Sequence, residues 1–349
     1  MVCHQEGLEE VPNAVAAIDL DPAANIVAVR RVEVGYPANY NVRVVDDRLT
    51  VFDRDDDGTR HWLSTVGRDG RVEIGEPAEV GFPSAYVIGP DGRGYLFWDG
   101  GITAMDLSGV VSGWPANVPG VVDGVGPDVG PRSKPAFSPA GDLVLTRSTA
   151  DGNGTQVVVV GRAGEVRDLG PALQIDPVIH TSGLALEYFA IPPLVGPGGS
   201  VTVVGQAGAD VAIHRVDASG AIPAGWPFRT PGSVGWRGTC ENVLGDGCGT
   251  YRALPVVAGD GTVYVPLGST APSSRATVLA VGPDGRARTG WPATIGSAGS
   301  WVWGMAPGAG GVLFALVVHV LGDGTETMEL LAISAGGSIA SRALLSSGE

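Results

Sequence analysis

Chemistry needs ionisable and nucleophilic side chains at reachable spacings, and this chain of 349 residues offers few. Its five histidines are His4, His61, His180, His214 and His319. They form no His-Glu-x-x-His zinc pattern, and no Gly-x-Ser-x-Gly nucleophile elbow accompanies them. His319 sits within the apolar run VLFALVVHVL (312–321) and reads as a core or channel-facing residue rather than a ligand. His214 lies between Ile213 and Arg215 on a strand-like run. The unusual residues gather elsewhere, in three stretches: His180, Glu187 and Tyr188; Trp236, Arg237 and Glu241; Trp301 and Trp303. Indole and phenol rings stack on apolar ligand faces while charges fix orientation, so these stretches suit a sugar-like or peptide ligand. The plainer reading is that the same aromatics pack long loops together. His180, Glu187 and Tyr188 could also join a residue of another repeat in a metal-assisted hydrolase or lyase, although nothing in their spacing demonstrates one.

Two further groups bear on ligands and compartment. DRDDDG (53–58) opens like a calcium loop, with Asp53, Asp55 and Asp57 presenting oxygens and Gly58 allowing the turn. Its twelfth position is Ser64 rather than Glu, which leaves a weak calcium site or a plain acidic turn; no other cofactor is expected. Cys240 and Cys248 flank a short Gly-rich segment, and a disulfide there would point to an extracytoplasmic compartment. Cys3 stands apart. It is read either as a former lipid-anchored first residue or as an incidental thiol.

The elements that must carry these residues announce themselves as a repeat. LSTVGRDGRV (63–72), ITAMDLSGVV (102–111), VVVVGRAGEV (157–166), IHRVDASGAI (213–222), VLAVGPDGRA (278–287) and LAISAGGSIA (331–340) share one pattern. Each reads as two strands joined by a tight turn at Gly70, Gly109, Gly164, Gly220, Gly285 or Gly337. A second hairpin precedes each, as in GPDGRGYLF (89–97) and AGDGTVYVP (258–266), and its second strand is nearly all apolar. A strand without alternation is buried on both faces. Two hairpins per repeat make four antiparallel strands, and six repeats about 53 residues apart describe an all-β, six-bladed β-propeller.

The expected layout is an N-terminal tail (1–13) and one propeller domain (14–349). Its blades fall near 14–79, 84–118, 134–172, 192–230, 253–294 and 304–347. The first is irregular: residues 40–58 hold one more hairpin, so 14–79 carries either an insertion or parts of two blades, and seven blades are the alternative. With strands A to D in each blade, the A–B and C–D turns share one face and are minimal. The D–A connections on the other face are long, which makes that face the candidate for function.

Composition fits. Glycine (55) and proline (26) make up nearly a quarter of the chain, about twice the usual ~12 %. They follow no Gly-X-Y order, which excludes collagen, and aliphatic content is too high for disorder. The longest purely apolar run, 312–318, falls short of the ~18 residues of a membrane helix. A net charge of −15 argues against nucleic acid and anionic membranes as partners.

Three repeats end in Gly-Trp-Pro: Gly113-Trp114-Pro115, Gly225-Trp226-Pro227 and Gly290-Trp291-Pro292. Runs such as TAMDLSGVVSGWP and LAVGPDGRARTGWP resemble the outer hairpins of quinoprotein-like (PQQ-like) and FG-GAP-type propeller repeats of secreted bacterial proteins. The resemblance spans most of residues 60–345. It implies the fold and says little of function. Quinoprotein enzymes would bring a quinone, calcium and eight blades, but this chain has no adjacent Cys pair and too few repeats, so the cofactor is not carried over. Each Trp of Gly-Trp-Pro is expected to pack between neighbouring blades.

The sequence thus points first to a secreted or surface-anchored propeller that binds a protein, peptide or glycan without catalysis. The second reading is a metal-assisted hydrolase or lyase acting on a polysaccharide or lactone-like substrate. The third is a structural subunit of an extracellular assembly.

Overall fold

A computed structural model describes residues 2–5, 14–20, 26–33, 42–55, 58–81, 83, 85–98, 100–119, 135–149, 154–176, 178–180, 188–234, 237–238, 250–251, 253–268, 275–320 and 326–345. The chain forms two compact units, 1–144 with 158–167, and 145–157 with 168–349. Among the described residues the only helical pieces are single 3-10 turns at Pro197–Gly199 and Ala309–Gly311. Everything else regular is strand, as the repeat requires.

In the first unit, Val2–Gln5, Ala14–Leu20 and Ile26–Glu33 form a three-stranded antiparallel sheet. A four-stranded sheet of Val42–Val45, Arg48–Arg54, Arg60–Val66 and Val72–Ile74 follows, with Ala78–Glu79 continuing its outer edge. The segment 14–79 is therefore not one sheet with an insertion. It holds parts of two sheets, and the expected tail 1–13 contains a strand paired with Ala14–Ala17. The cause is the run AVAAIDL, which needs a partner along both edges and finds one in Val2–Gln5. The next sheet orders Ala85–Ile88, Gly94–Trp98, Gly101–Asp106 and Gly109–Val110, with Ala116–Asn117 completing its outer edge.

A sheet of Ala136–Phe137, Leu143–Ser148, Thr155–Val160 and Val166–Asp168 comes next in the chain. In the second unit, Leu194–Val195, Val201–Ala207, Asp210–Val216 and Phe228–Pro231 form one four-stranded sheet. Val256–Val257, Val263–Gly268, Arg275–Val281 and Ala293–Ala298 form another, with Ser233–Val234 added beside Val263–Gly268. Trp301–Pro307, Leu313–Val320, Glu326–Ile333 and Ile339–Leu345 form the last. Two small hairpins, Val178–His180 with Tyr188–Ala190 and Arg237–Gly238 with Thr250–Tyr251, stand outside these sheets.

Burial follows strand rank. Val201–Gly205 and Val211–Val216, middle strands, are buried on both faces, as their largely apolar runs demand, and they carry Thr202, His214 and Arg215 into the interior with them. Outer strands such as Val72–Ile74 and Val166–Asp168 are exposed throughout.

One turn geometry is stamped repeatedly. In turns opening at residues 67, 89, 138, 161, 196, 217, 258, 282, 308 and 334, the first N–H donates to the carbonyl four residues later. In all but the 308 turn, the fourth residue's N–H also returns to the first carbonyl. That fourth residue has positive φ and is glycine each time. Asp at the third position caps the turn: Asp69 accepts from the Arg71 N–H at 3.0 Å and Asp260 from Thr262 at 2.9 Å. This is the physical content of the recurring Asp-Gly pairs.

Each of the three Gly-Trp-Pro endings ties its sheet to the following one. The indole N–H groups of Trp114, Trp226 and Trp291 donate to the carbonyls of Arg162, Pro283 and Ala335 at 3.3, 3.1 and 3.0 Å. All three rings are buried, and all three Trp–Pro bonds are cis. Gly290 meets the Gly336–Gly337 turn backbone to backbone at the same junction: a methyl added to Gly290 would strike the Gly336 carbonyl oxygen, and one added to Gly337 the Gly290 carbonyl oxygen. Buried Arg215 makes a similar tie. It donates to Ser200 Oγ at 2.7 Å and the Gly261 carbonyl at 3.2 Å, beneath the Trp226 ring.

Candidate functional site

Antiparallel order places the A–B and C–D turns at one end of each sheet and the B–C and D–A connections at the other. The first end is built of the repeated five-residue turns. The second end carries the side chains with chemistry, and two places on it are well defined.

The first lies on the last sheet. Leu313, Ala315 and Val317 line one face of their strand and are fully buried against the preceding sheet. Two residues on, the same face presents His319, which pairs across with Thr327, so Glu329 sits diagonally beside it. The pairing Trp301↔Val318 brings the preceding residue, Ser300, against the ring. Ser300 Oγ lies 2.8 Å from His319 Nδ1, and His319 Nε2 lies 3.2 Å from Glu329 Oε2. Arg342, from the outermost strand, donates to both Glu329 oxygens at 3.2 and 3.1 Å. Ser297 Oγ completes the cluster, 2.9 Å from Ser300 Oγ and 3.3 Å from His319 Nδ1. Glu329 and Ser300 are only 6 % and 5 % exposed. A carboxylate buried that deeply needs partners, and His319 and Arg342 supply them.

The second place is in the first unit. Trp98 ends the strand Gly94–Trp98 and donates its indole N–H to Thr103 Oγ1 at 3.1 Å. Around it opens a groove of about 530 Å³, walled by Trp98, Val80, Pro115 and the outer-edge residues Glu79 and Asn117. Gly100 and Gly101 also line it and contribute no side chain. Where Glu79 rims it, Arg60 stands 3.6 Å away as a loose, exposed ion pair.

One more buried polar group belongs to that unit. His61 is fully buried, with Nε2 3.3 Å from the Tyr86 hydroxyl and its ring edge-on to Phe52. Burial, assisted by the Arg54 charge, lowers its pKa to about 4.

The residues singled out in the sequence are distributed as follows. Trp301 and Trp303 lie on the strand Trp301–Pro307, half-buried. Val302 between them turns into the core, so alternation puts Trp301 on the face away from His319. His180 and Tyr188 are cross-strand partners in the small hairpin, and Arg237 pairs with Tyr251. Trp236, Glu187, Glu241, Cys240 and Cys248 lie outside the described residues, as does Asp57. In the acidic hairpin, Asp53 Oδ1 accepts from the Arg54 N–H and Asp55 Oδ1 from the Arg60 N–H, both at 2.9 Å. Among the described residues no three His, Cys, Asp or Glu converge as a metal site.

Ser300, Glu329, Arg342, Trp98 and Asn117 escaped the sequence reading. A usable signal existed for Glu329. It interrupts the buried face Leu331–Ile333 near the point where His319 interrupts the facing strand. Two polar breaks on diagonal positions of facing strands mark a paired cluster.

Comparison with known proteins adds the fold. No protein-family model matches the chain, and no curated protein matches it. Among solved structures, a protein from Lactobacillus plantarum is similar at 14 % identity and TM-score 0.51, covering 99 % of this chain and 94 % of its own. The β-propeller domain of the Trilobed protease from Pyrococcus furiosus is similar at 10 % identity and TM-score 0.51, covering 99 % and 91 %. A quinonprotein alcohol dehydrogenase-like protein from Bacteroides thetaiotaomicron aligns at 12 % identity and TM-score 0.48, covering 92 % and 68 %. At such identities the first two show the fold alone. With the successive four-stranded antiparallel sheets, they define this chain as an all-β protein of the β-propeller class.

Proposed function

We propose that this β-propeller is a secreted or surface-anchored, non-enzymatic binding module that takes its ligand at the end of the sheets bearing the long connections. The difference between the two ends carries the reading. One end repeats a single glycine turn whose polar backbone groups are satisfied internally. The other holds the open groove beside Trp98 and the aromatic and charged side chains. The residues repeated at every blade serve the fold, and what differs between blades is free to serve a ligand. The expected partner is a protein, peptide or glycan. The test is to immobilise the whole chain and screen it against peptide and oligosaccharide arrays. Saturable binding of one class without turnover is expected; turnover of the retained compound, or no retention, overturns the proposal.

The Ser300–His319–Glu329 chain favours a second reading, a hydrolase. Ser300 Oγ would attack an acyl carbon and pass its proton to His319 Nδ1, with Glu329 holding Nε2. Against it, the Ser300 hydroxyl is buried and shares its imidazole with Ser297. The binding reading therefore expects a fluorophosphonate probe to leave Ser300 unmodified in peptide mapping. Labelling that disappears in His319→Ala would establish the hydrolase instead.

A further inference from the structure

We propose that the groove beside Trp98 is a binding site for a neutral saccharide; this rests on the binding-module reading above and gives that module a ligand class.

The groove's volume of about 530 Å³ falls within the range of small-ligand sites, roughly 300–1,000 Å³. Its walls are Trp98, Val80 and Pro115, which offer apolar surface, and its rim carries the Asn117 amide and the Glu79 carboxylate. A pyranose has that division of surface: C–H groups on its faces and hydroxyls around its edge. A ring lying against Trp98 would turn its hydroxyls toward an acceptor at Glu79 and a donor–acceptor pair at Asn117.

Charge decides between ligand classes. Among the described lining residues Glu79 is the only ionic group, and Arg60 stands 3.6 Å from it. Among these described residues an anionic ligand would meet a carboxylate and no cation. A cationic ligand would compete with Arg60 for the single carboxylate. An uncharged, hydroxyl-rich ligand meets neither obstacle.

The space is also particular to this sheet. Along the corresponding face of the last sheet, Glu329 stands in the strand position that Gly101 takes here, and Glu329, His319 and Arg342 fill the place. Gly101 leaves it empty. Trp98 is held in place by its bond to Thr103 and by packing against the Phe52–Leu63–Leu96 core, and its partly exposed side borders the groove.

The test uses the whole chain and a panel of neutral cello-, xylo-, malto-, manno- and chito-oligosaccharides in isothermal titration, with a Lys- and Arg-rich peptide series as a parallel arm. At least one saccharide is expected to bind saturably. Asn117→Ala and Glu79→Ala, at the exposed rim, are each expected to weaken it several-fold, and Trp98→Ala at least tenfold. Circular dichroism and thermal unfolding show whether Trp98→Ala is folded; if it is not, the two rim variants decide. Saccharide binding unaffected by the rim variants overturns the assignment of the groove while leaving the binding module standing. Binding of the basic peptides alone overturns the ligand class. Binding of neither by a folded chain that retains another array compound overturns this inference only, and an inert chain overturns both.

Discussion

Among the described residues, His61 sits in an environment far from its side chain's preference. It has no exposure, its Nε2 faces the Tyr86 hydroxyl, and burial takes its pKa from 6.5 to about 4. The folded protein thus holds this imidazole neutral where the unfolded chain would protonate it. The sign follows from linkage. Above pH 6.5 both states are neutral and stability is unaffected. Between pH 6.5 and about 4 the unfolded state takes up a proton that the folded state refuses, so stability falls as pH falls. A shift of this size corresponds to on the order of 3 kcal/mol lost across that window. Urea midpoints from pH 7.5 to 4 should show the decline, and His61→Phe, which keeps a ring against Phe52, should flatten it. An equally steep decline in the variant would place the sensitivity in other groups.

At the scale of elements, the junctions between successive sheets hold the fold's most constrained positions. Gly290 has φ +85°, and its backbone lies so close to the Gly336–Gly337 turn that an added methyl would collide with the Gly336 carbonyl oxygen. Gly310 has φ +68° with open space around it. Gly310→Ala should therefore cost only the left-handed backbone penalty, about 1–2 kcal/mol. Gly290→Ala adds a steric clash and should cost clearly more, read as a larger drop in urea midpoint; equal losses would show that the junction yields. These junctions also mark what the sequence discloses. Turn geometry is local, so Gly285 or Gly337 can be recognised from ten neighbouring residues. The Trp291 indole bond to the Ala335 carbonyl spans 44 positions but repeats at Trp114 and Trp226, so repetition stands in for distance. The Ser300–His319–Glu329 cluster occurs once and depends on strand register across a bulge between Val302 and Gly304, which no local pattern encodes. Residues 14–79 are harder to read for a related reason: only their last hairpin carries the repeat's glycine turn, at Gly70, whereas the 45–48 turn uses Asp46 and Asp47, and the division into two sheets is shown only by the strand pairing.

At the scale of the whole molecule, the net charge of −15 acts on any ligand before it touches the groove. A field of that sign raises the local concentration of cations and repels anions, and salt screens it with a Debye length of about 10 Å at 0.1 M. A cationic ligand would accordingly lose affinity steeply as salt rises, and an anionic one would gain. A neutral saccharide has no net charge for the field to act on, and Glu79, the carboxylate among the groove's described residues, already faces Arg60. Its dissociation constant should change by less than about twofold between 50 and 500 mM sodium chloride, because screening removes only terms it does not possess. Salt titration thus reads the ligand's charge class independently of any mutation. A severalfold weakening over that range would mean that the bound species carries positive charge and draws on the acidic surface as a whole, so that neither Trp98 nor its groove sets the affinity.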